Sequence, residues 1–300
     1  MALVKRYRPG AFPQFTQADD NLRAYLRDEF NRIALLVNEL GEVVEDTREN
    51  PGVDITYYVR ADGNDNHDGL SDTADGAFLT IQRGIDALEG LDLSEIIATV
   101  QVGAGTYNDG VTLSAPLLGG SARLIGDTST PFNVEIAVFS GDAIKLDNGA
   151  VLEIAGFKLS SAAGNGLLVD NGAIAQITDA MEYGACNLAA IQAHNSGRVY
   201  IDGDFTMSGS DANNLLLADV DGGLVLGAVT ITLSGTPTFS ITAHSTVRSF
   251  IYLDAAAFSG AANGMRYRVH DVAAITTAGR GPNFIPGNVA GIVSAGGQYQ

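Results

Sequence analysis

From Ala143 onward the apolar and polar positions fall into a unit of roughly 22 to 26 residues, a period that marks a repeat architecture. The units begin at Ala143, Gly166, Leu188, Asn214 and Phe239. The first reads AIKLDNGAVLEIAGFKLSSAAGN: a short apolar strand, a polar corner, a longer alternating strand, and a return rich in Ser, Gly, Ala and Asn. Alternation with period two and many β-branched residues predict strands, and the period of 3.6 that marks a helix is absent. One such unit cannot bury its apolar face without a neighbour, so consecutive units must stack. The pattern predicts a mainly β chain, with a parallel β-helix over residues 114–263.

The flanks differ. Residues 53–113 read as an entry: a strand at Thr56–Arg60, an amphipathic helix at Ala77–Leu88, a strand at Ala98–Val102, and the glycine-rich turn GAGTYNDG. The helix carries Phe78, Ile81, Ile85 and Leu88 on one face. It is expected to close the first coil, which has no preceding neighbour, and to cover the strand edge there.

Residues 1–15, with Lys5, Arg6, Arg8 and two prolines, are expected to be an extended basic arm. Residues 16–52 are predicted to be a helical attachment or oligomerisation segment that breaks at Pro51-Gly52. Leu26, Phe30, Ile33, Val37, Leu40 and Val44 recur at steps of four and three, the seam of a coiled coil. Leu35, Leu36 and Val43 widen that seam, which favours three strands or docking on another protein. Residues 264–300 are rich in Gly, Pro and Asn, with scattered Phe284, Ile285, Val289, Ile292, Val293 and Tyr299. They are expected to lie along the last coil or across a neighbouring subunit and to close the solenoid's open end.

Composition narrows the function classes. The 300 residues include 36 Gly and carry a net charge of −18, which disfavours a sequence-independent grip on nucleic-acid phosphates. The single cysteine, Cys186, excludes an internal disulfide and a cysteine-based zinc site. There is no apolar run of membrane-spanning length, and no membrane insertion is expected. Nothing resembles GxSxG, HExxH or a phosphate-binding loop, and no cofactor is expected.

Three groups of polar residues are candidates for chemistry. Asp62, Asn64, Asp65 and Asp68 form an oxygen-rich loop suited either to Ca²⁺ or to a tight turn, whose Asx chemistry calls for the same residues. The corners line up as Asp147-Asn148-Gly149, Asp170-Asn171-Gly172, His194-Asn195-Ser196-Gly197, Asp219-Val220-Asp221-Gly222 and His244-Ser245-Thr246. Stacked at about 4.8 Å per coil, Asp147, Asp170, His194, Asp219 and His244 would form a polar ladder that binds a sugar, a cation or nothing, since a turn repeated at every coil produces the same row. Asp179 and Asp204 fall in nearly the same register one coil apart, near the separation of about 5–5.5 Å used by retaining glycosidases. A slip of one residue would separate them, and no long inserted loops are present to build a cleft.

The entry, YYVRADGNDNHDGLSDTADGAFLTIQRGIDAL followed by VQVGAGTYNDGVTL, resembles the opening of right-handed parallel β-helices of the pectin-lyase-like class, in particular those of bacteriophage tailspikes. The closing stretch TTAGRGPNFIPGNVAGIVSAGGQY is similar to the end of many phage fibre and spike chains. The resemblance implies a virion protein made in the host cytoplasm. It would be a homotrimeric tail spike or fibre, held to other virion proteins through residues 1–50 and adhering to host surface polysaccharide. The class also contains lyases and hydrolases, so a depolymerase is one alternative, and a purely architectural head or tail protein is another.

Overall fold

The structure is a computed structural model that describes residues 28–33, 35, 48–209 and 211–300. Met1–Glu49 and Asn50–Gln300 are two compact units. In the first, residues 28–33 and 35 are helical, with Phe30 and Ile33 exposed. Leu26, Val37, Leu40 and Val44 of the proposed seam lie outside the described residues.

The second unit is a parallel β-solenoid of about eight turns. One sheet of ten strands runs from Ile55–Val59 to Gln298–Tyr299, each strand paired in parallel with the strand of the next coil. We call it the first face. The remaining strands join into one 14-stranded sheet. It divides into two rows that share the strand Met181–Ala193. The start of that strand pairs with Lys158–Ser161 and Phe205–Met207, on the second face. Its end pairs with Leu167–Val169 and Asp211–Ala218, on the third. The coil therefore has three faces. The longer alternating strand expected from sequence is two strands: the chain bends between the first and second faces within a few residues, keeping the alternation at Gly203-Asp204 and shifting it by one at Gly156-Phe157, where Ile154 to Phe157 are all buried.

Inward positions stack into ladders of like residues. On the first face Val100, Leu124, Ile154, Ile177, Ile201 and Leu226 are successive partners, all buried. On the second face Tyr107, Ile136, Leu159, Tyr183, Met207 and Leu233 do the same. This is the physical origin of the repeat: each coil leaves an apolar edge that only another coil of the same pattern covers.

The entry helix occupies Ile81–Glu89, with Thr80 as N-cap accepting from the Arg83 amide at 3.2 Å. Phe78, Ile81, Ile85 and Leu88 are buried. At Gly84 the helix comes so close that a Cβ would lie 2.7 Å from Val100, on the first complete coil. The expected glycine-rich turn after Val102 contains the first strand of the second face, Gly105–Tyr107, anchored by the Tyr107 hydroxyl donating to the Gly103 carbonyl at 2.9 Å.

The closing residues continue the winding. Ile292–Val293 pairs with Arg268–Val269, and Gln298–Tyr299 with Ala274–Ile275. Ile285 is buried, Phe284 packs edge-on against Phe258 at 5.4 Å, and the Tyr299 ring stacks on Tyr267 at 3.9 Å.

Candidate functional site

The corner between the third and first faces is built the same way in coil after coil. Two central residues have left-handed backbone: Asn148 and Gly149, Asn171 and Gly172, Asn195 and Ser196, Val220 and Asp221, Val247 and Arg248, Asp271 and Val272, Ala295 and Gly296. Most of these turns close with a hydrogen bond across the four residues, as from the Ala150 amide to the Asp147 carbonyl at 3.1 Å and from the Ala173 amide to that of Asp170 at 3.0 Å. This is the type I′ geometry, for which Asn-Gly is the natural sequence. Successive corners are also joined to each other. The Gly149 amide donates to the Asn171 carbonyl and Gly172 to Asn195, and the pattern continues down to Val272 and Ala295 at 3.2 Å.

The side chains along this edge are therefore stacked, as the sequence pattern suggested, with one change of membership. The third-face registers put Asp147, Asp170, His194, Asp219, Thr246 and His270 in one row. His244 is two residues earlier, on the strand itself, in register with Leu217 and Arg268. The left-handed pair that defines this corner is Val247-Arg248, which has no Asn or Gly to announce it. Within the row Asp147 accepts from Lys145 at 2.8 Å and from the Asn171 amide group at 2.7 Å. His194 Nδ1 lies 2.5 Å from Asp219 Oδ1. Arg248 holds Asp221 through two contacts, at 2.9 and 2.6 Å.

Where His244 does point is informative. Its Nε2 is 3.1 Å from Nε2 of His270, on the next coil, and the two ring centroids are 5.3 Å apart. His270 Nδ1 in turn lies 2.7 Å from Asp271 Oδ2 and 3.1 Å from the Thr246 hydroxyl. Burial, reinforced by the nearby His270 and Arg268, pushes the His244 pKa down to about 4, so this ring is neutral at pH 7.

The first face carries a second array, which the sequence pattern did not bring together. Its outward row runs Thr99, Arg123, Glu153, Gln176, Tyr200, Val225, Tyr252 and Thr276 in continuous register. Glu153 is held from both sides, by Arg123 Nε at 2.9 Å and the Thr178 hydroxyl at 2.9 Å. Tyr200 and Tyr252 stand 39% and 43% exposed. Beside them Phe250 packs at 4.7 Å from Tyr252, with the Arg198 guanidinium 5.1 Å above its ring. Gly223 makes room for that ring, since a Cβ there would lie 2.3 Å from it. At the upstream end of the row the loop through Pro116, Leu117 and Gly120 leans over Val151, Glu153 and Gln176 and encloses a groove of about 280 Å³. The signal for this array was present as tyrosines at outward strand positions, but placing Tyr200 and Tyr252 in one row requires the lengths of the two coils between them.

The other candidates are placed differently from a paired site. Ile177 pairs with Ile201 and Met181 with Phe205, so Asp179 stands opposite Gly203 and Asp204 opposite Ala180. The two carboxylates are one residue out of register. Each is exposed and engaged with a backbone amide, Asp179 with Ala180 at 2.7 Å and Asp204 with Thr230 at 2.7 Å.

In the entry loop Asp62 pairs with Arg60 at 2.8 Å, Asn64 accepts from the Asn66 amide, and Asp68 from the Leu70 amide. Asp65 accepts from the amides of Leu79 and Thr80 and from the Thr80 hydroxyl at 2.8–2.9 Å, fastening the loop to the helix start. These residues act together as turn and cap. Among the described residues no group of three or more His, Cys, Asp or Glu side chains has the arrangement of a metal site.

Comparisons with family models, curated proteins and solved structures return no match. The fold itself is clear. The chain forms a parallel β-solenoid.

Proposed function

We propose that this protein is an adhesive virion appendage of the phage tailspike or fibre type, which binds host surface polysaccharide along the first face of its solenoid. The observation that carries the reading is the outward row from Glu153 to Tyr252. It joins a hydrogen-bonded carboxylate, an amide and two exposed tyrosines along the solenoid axis. Two coil steps place the tyrosine rings about 10 Å apart. An extended glycan laid along the axis meets these rings at alternate sugars, with Gln176, Glu153 and Arg123 available to its hydroxyls. Tyr is suited to such contacts because it combines a broad apolar face with a polar tip.

The coiled-coil spacing of Leu26 to Val44 and the resemblance of both chain ends to phage spikes support a homotrimer attached to the particle through residues 1–50. Three copies of a weak site then act together, so that avidity exceeds the affinity of one face. Adhesion is preferred over depolymerisation because Asp179 and Asp204 are out of register and each is occupied by a backbone amide.

The test is binding of purified capsular and lipopolysaccharide chains to the full protein by calorimetry. The paired substitution Tyr200→Ala and Tyr252→Ala is expected to weaken binding at least tenfold with the circular dichroism unchanged. Release of new reducing ends on incubation would replace adhesion with depolymerisation. A stable monomer at micromolar concentration in light scattering would overturn the trimer.

A further inference from the structure

His244 and His270 come from adjacent coils, at non-equivalent positions, yet their Nε2 atoms approach to 3.1 Å. In the metal-free protein this contact requires one N–H between the two nitrogens, since two lone pairs at that distance repel. His270 is the acceptor: its Nδ1–H donates to Asp271 at 2.7 Å, which leaves the Nε2 lone pair aimed at His244. The Thr246 hydroxyl, 3.1 Å from the same Nδ1, fixes the ring further. A carboxylate on the far nitrogen of an imidazole is the usual outer-shell support of a metal-ligating histidine.

Two imidazole nitrogens 3.1 Å apart and each about 2.0–2.1 Å from a shared ion subtend about 100° there, between the square and tetrahedral angles; the rings now face each other nearly head-on, with centroids 5.3 Å apart, so binding tilts both toward the ion. We propose that His244 and His270 form a two-imidazole clip for a divalent transition-metal cation of the imidazole-preferring class, with Asp271 as its orienting carboxylate and water completing the coordination. Binding moves the His244 proton from Nε2 to Nδ1. Both side chains are partly open to solvent, which gives the ion a way in. Copper(II) is expected to bind most tightly and zinc and nickel less so, following the general order for nitrogen sites. The clip lies on the third face and its edge, and does not depend on the adhesive reading of the first face.

The experiment is calorimetric titration of the full chain, stripped with chelator, with CuCl2, NiCl2 and ZnCl2 at fixed pH, and MgCl2 as control for the acidic surface. One equivalent of copper is expected to bind per chain, with electron paramagnetic resonance showing coupling to two nitrogens. His244→Gln and His270→Gln should each weaken binding at least tenfold, and Asp271→Asn about 10- to 100-fold. His194→Gln should leave it unchanged. Circular dichroism separates loss of ligand from loss of fold, and the Asp271 variant, exposed at the corner, tests the clip without altering either ring. Absence of a stoichiometric site up to 100-fold excess metal, or full retention of it in the doubly substituted His244→Gln, His270→Gln chain, would overturn the proposal.

Discussion

Val272 occupies the second left-handed position of its corner, with φ of 63°, where the equivalent positions 149, 172 and 296 hold glycine. A β-branched side chain in that region is strained, typically by about 1–3 kcal/mol. At 71% exposure Val272 contributes little packing in return. Val272→Gly is therefore expected to raise stability by about 0.5–2 kcal/mol, read as an upward shift of the denaturant midpoint.

Asp147 makes the opposite kind of contribution. Lys145, and after it Asn171 and the Asn148 amide, hold its carboxyl below the usual carboxylate range. The stabilisation is complete above the unfolded value of about 3.9 and is lost as pH falls through the lower folded value. Acid titration of stability should be shallower in Asp147→Asn than in the native chain below about pH 4. Cys186 is buried and its thiol is pushed up to about 12 by that burial. It should resist thiol reagents in the folded chain and react stoichiometrically once the chain is unfolded.

Among the elements, the entry helix depends on a residue outside it. Asp65 accepts two backbone amides and the Thr80 hydroxyl, so Asp65→Ala leaves the helix start and the loop unfastened. The expected cost is about 1–3 kcal/mol in chemical denaturation.

Asn148-Gly149 and Asn171-Gly172 announce their corners because left-handed backbone has a preferred chemistry. Val247-Arg248 adopts the same backbone with no such chemistry, and so His244 was assigned to a corner that begins at Thr246. The entry helix was legible from the spacing of Ile81, Ile85 and Leu88, but it starts later than expected: Phe78 lies before the Thr80 cap, bridged to Val59. The split of each long strand into two faces was not legible: at Gly203-Asp204 the alternation runs on through the bend, and the apolar run Ile154-Ala155-Gly156-Phe157 reads as one continuous strand. The sites follow the same division. His244 and His270 are 26 residues apart, and only the register of the third face brings their rings together.

For the solenoid unit as a whole, stability is a sum over coils and the contacts between neighbours rather than a property of one central core. The middle coils, around Tyr183 and Phe205, have a complete neighbour on each side. Amide hydrogen exchange should accordingly be slowest between Met181 and Met207 and faster in the strand Ile292–Val293, whose residues are exposed. Uniform protection along the unit would show instead that it opens as a single cooperative body.

The corner edge gives this unit a mechanical character. From Asn148 to Gly296 each corner repeats one backbone geometry, and neighbouring corners are tied by amide-to-carbonyl contacts of nearly constant length. The loop at Pro116–Gly120 stands at the head of this edge, one coil before Asn148, and the other connections vary in form, as in the 3-10 turn at Pro131–Asn133 between the first and second faces. A lateral load therefore meets one inextensible edge and two more compliant ones. Bending should hinge about that edge as a spine, and the unit should be stiffer when the spine is in tension than when the opposite side is.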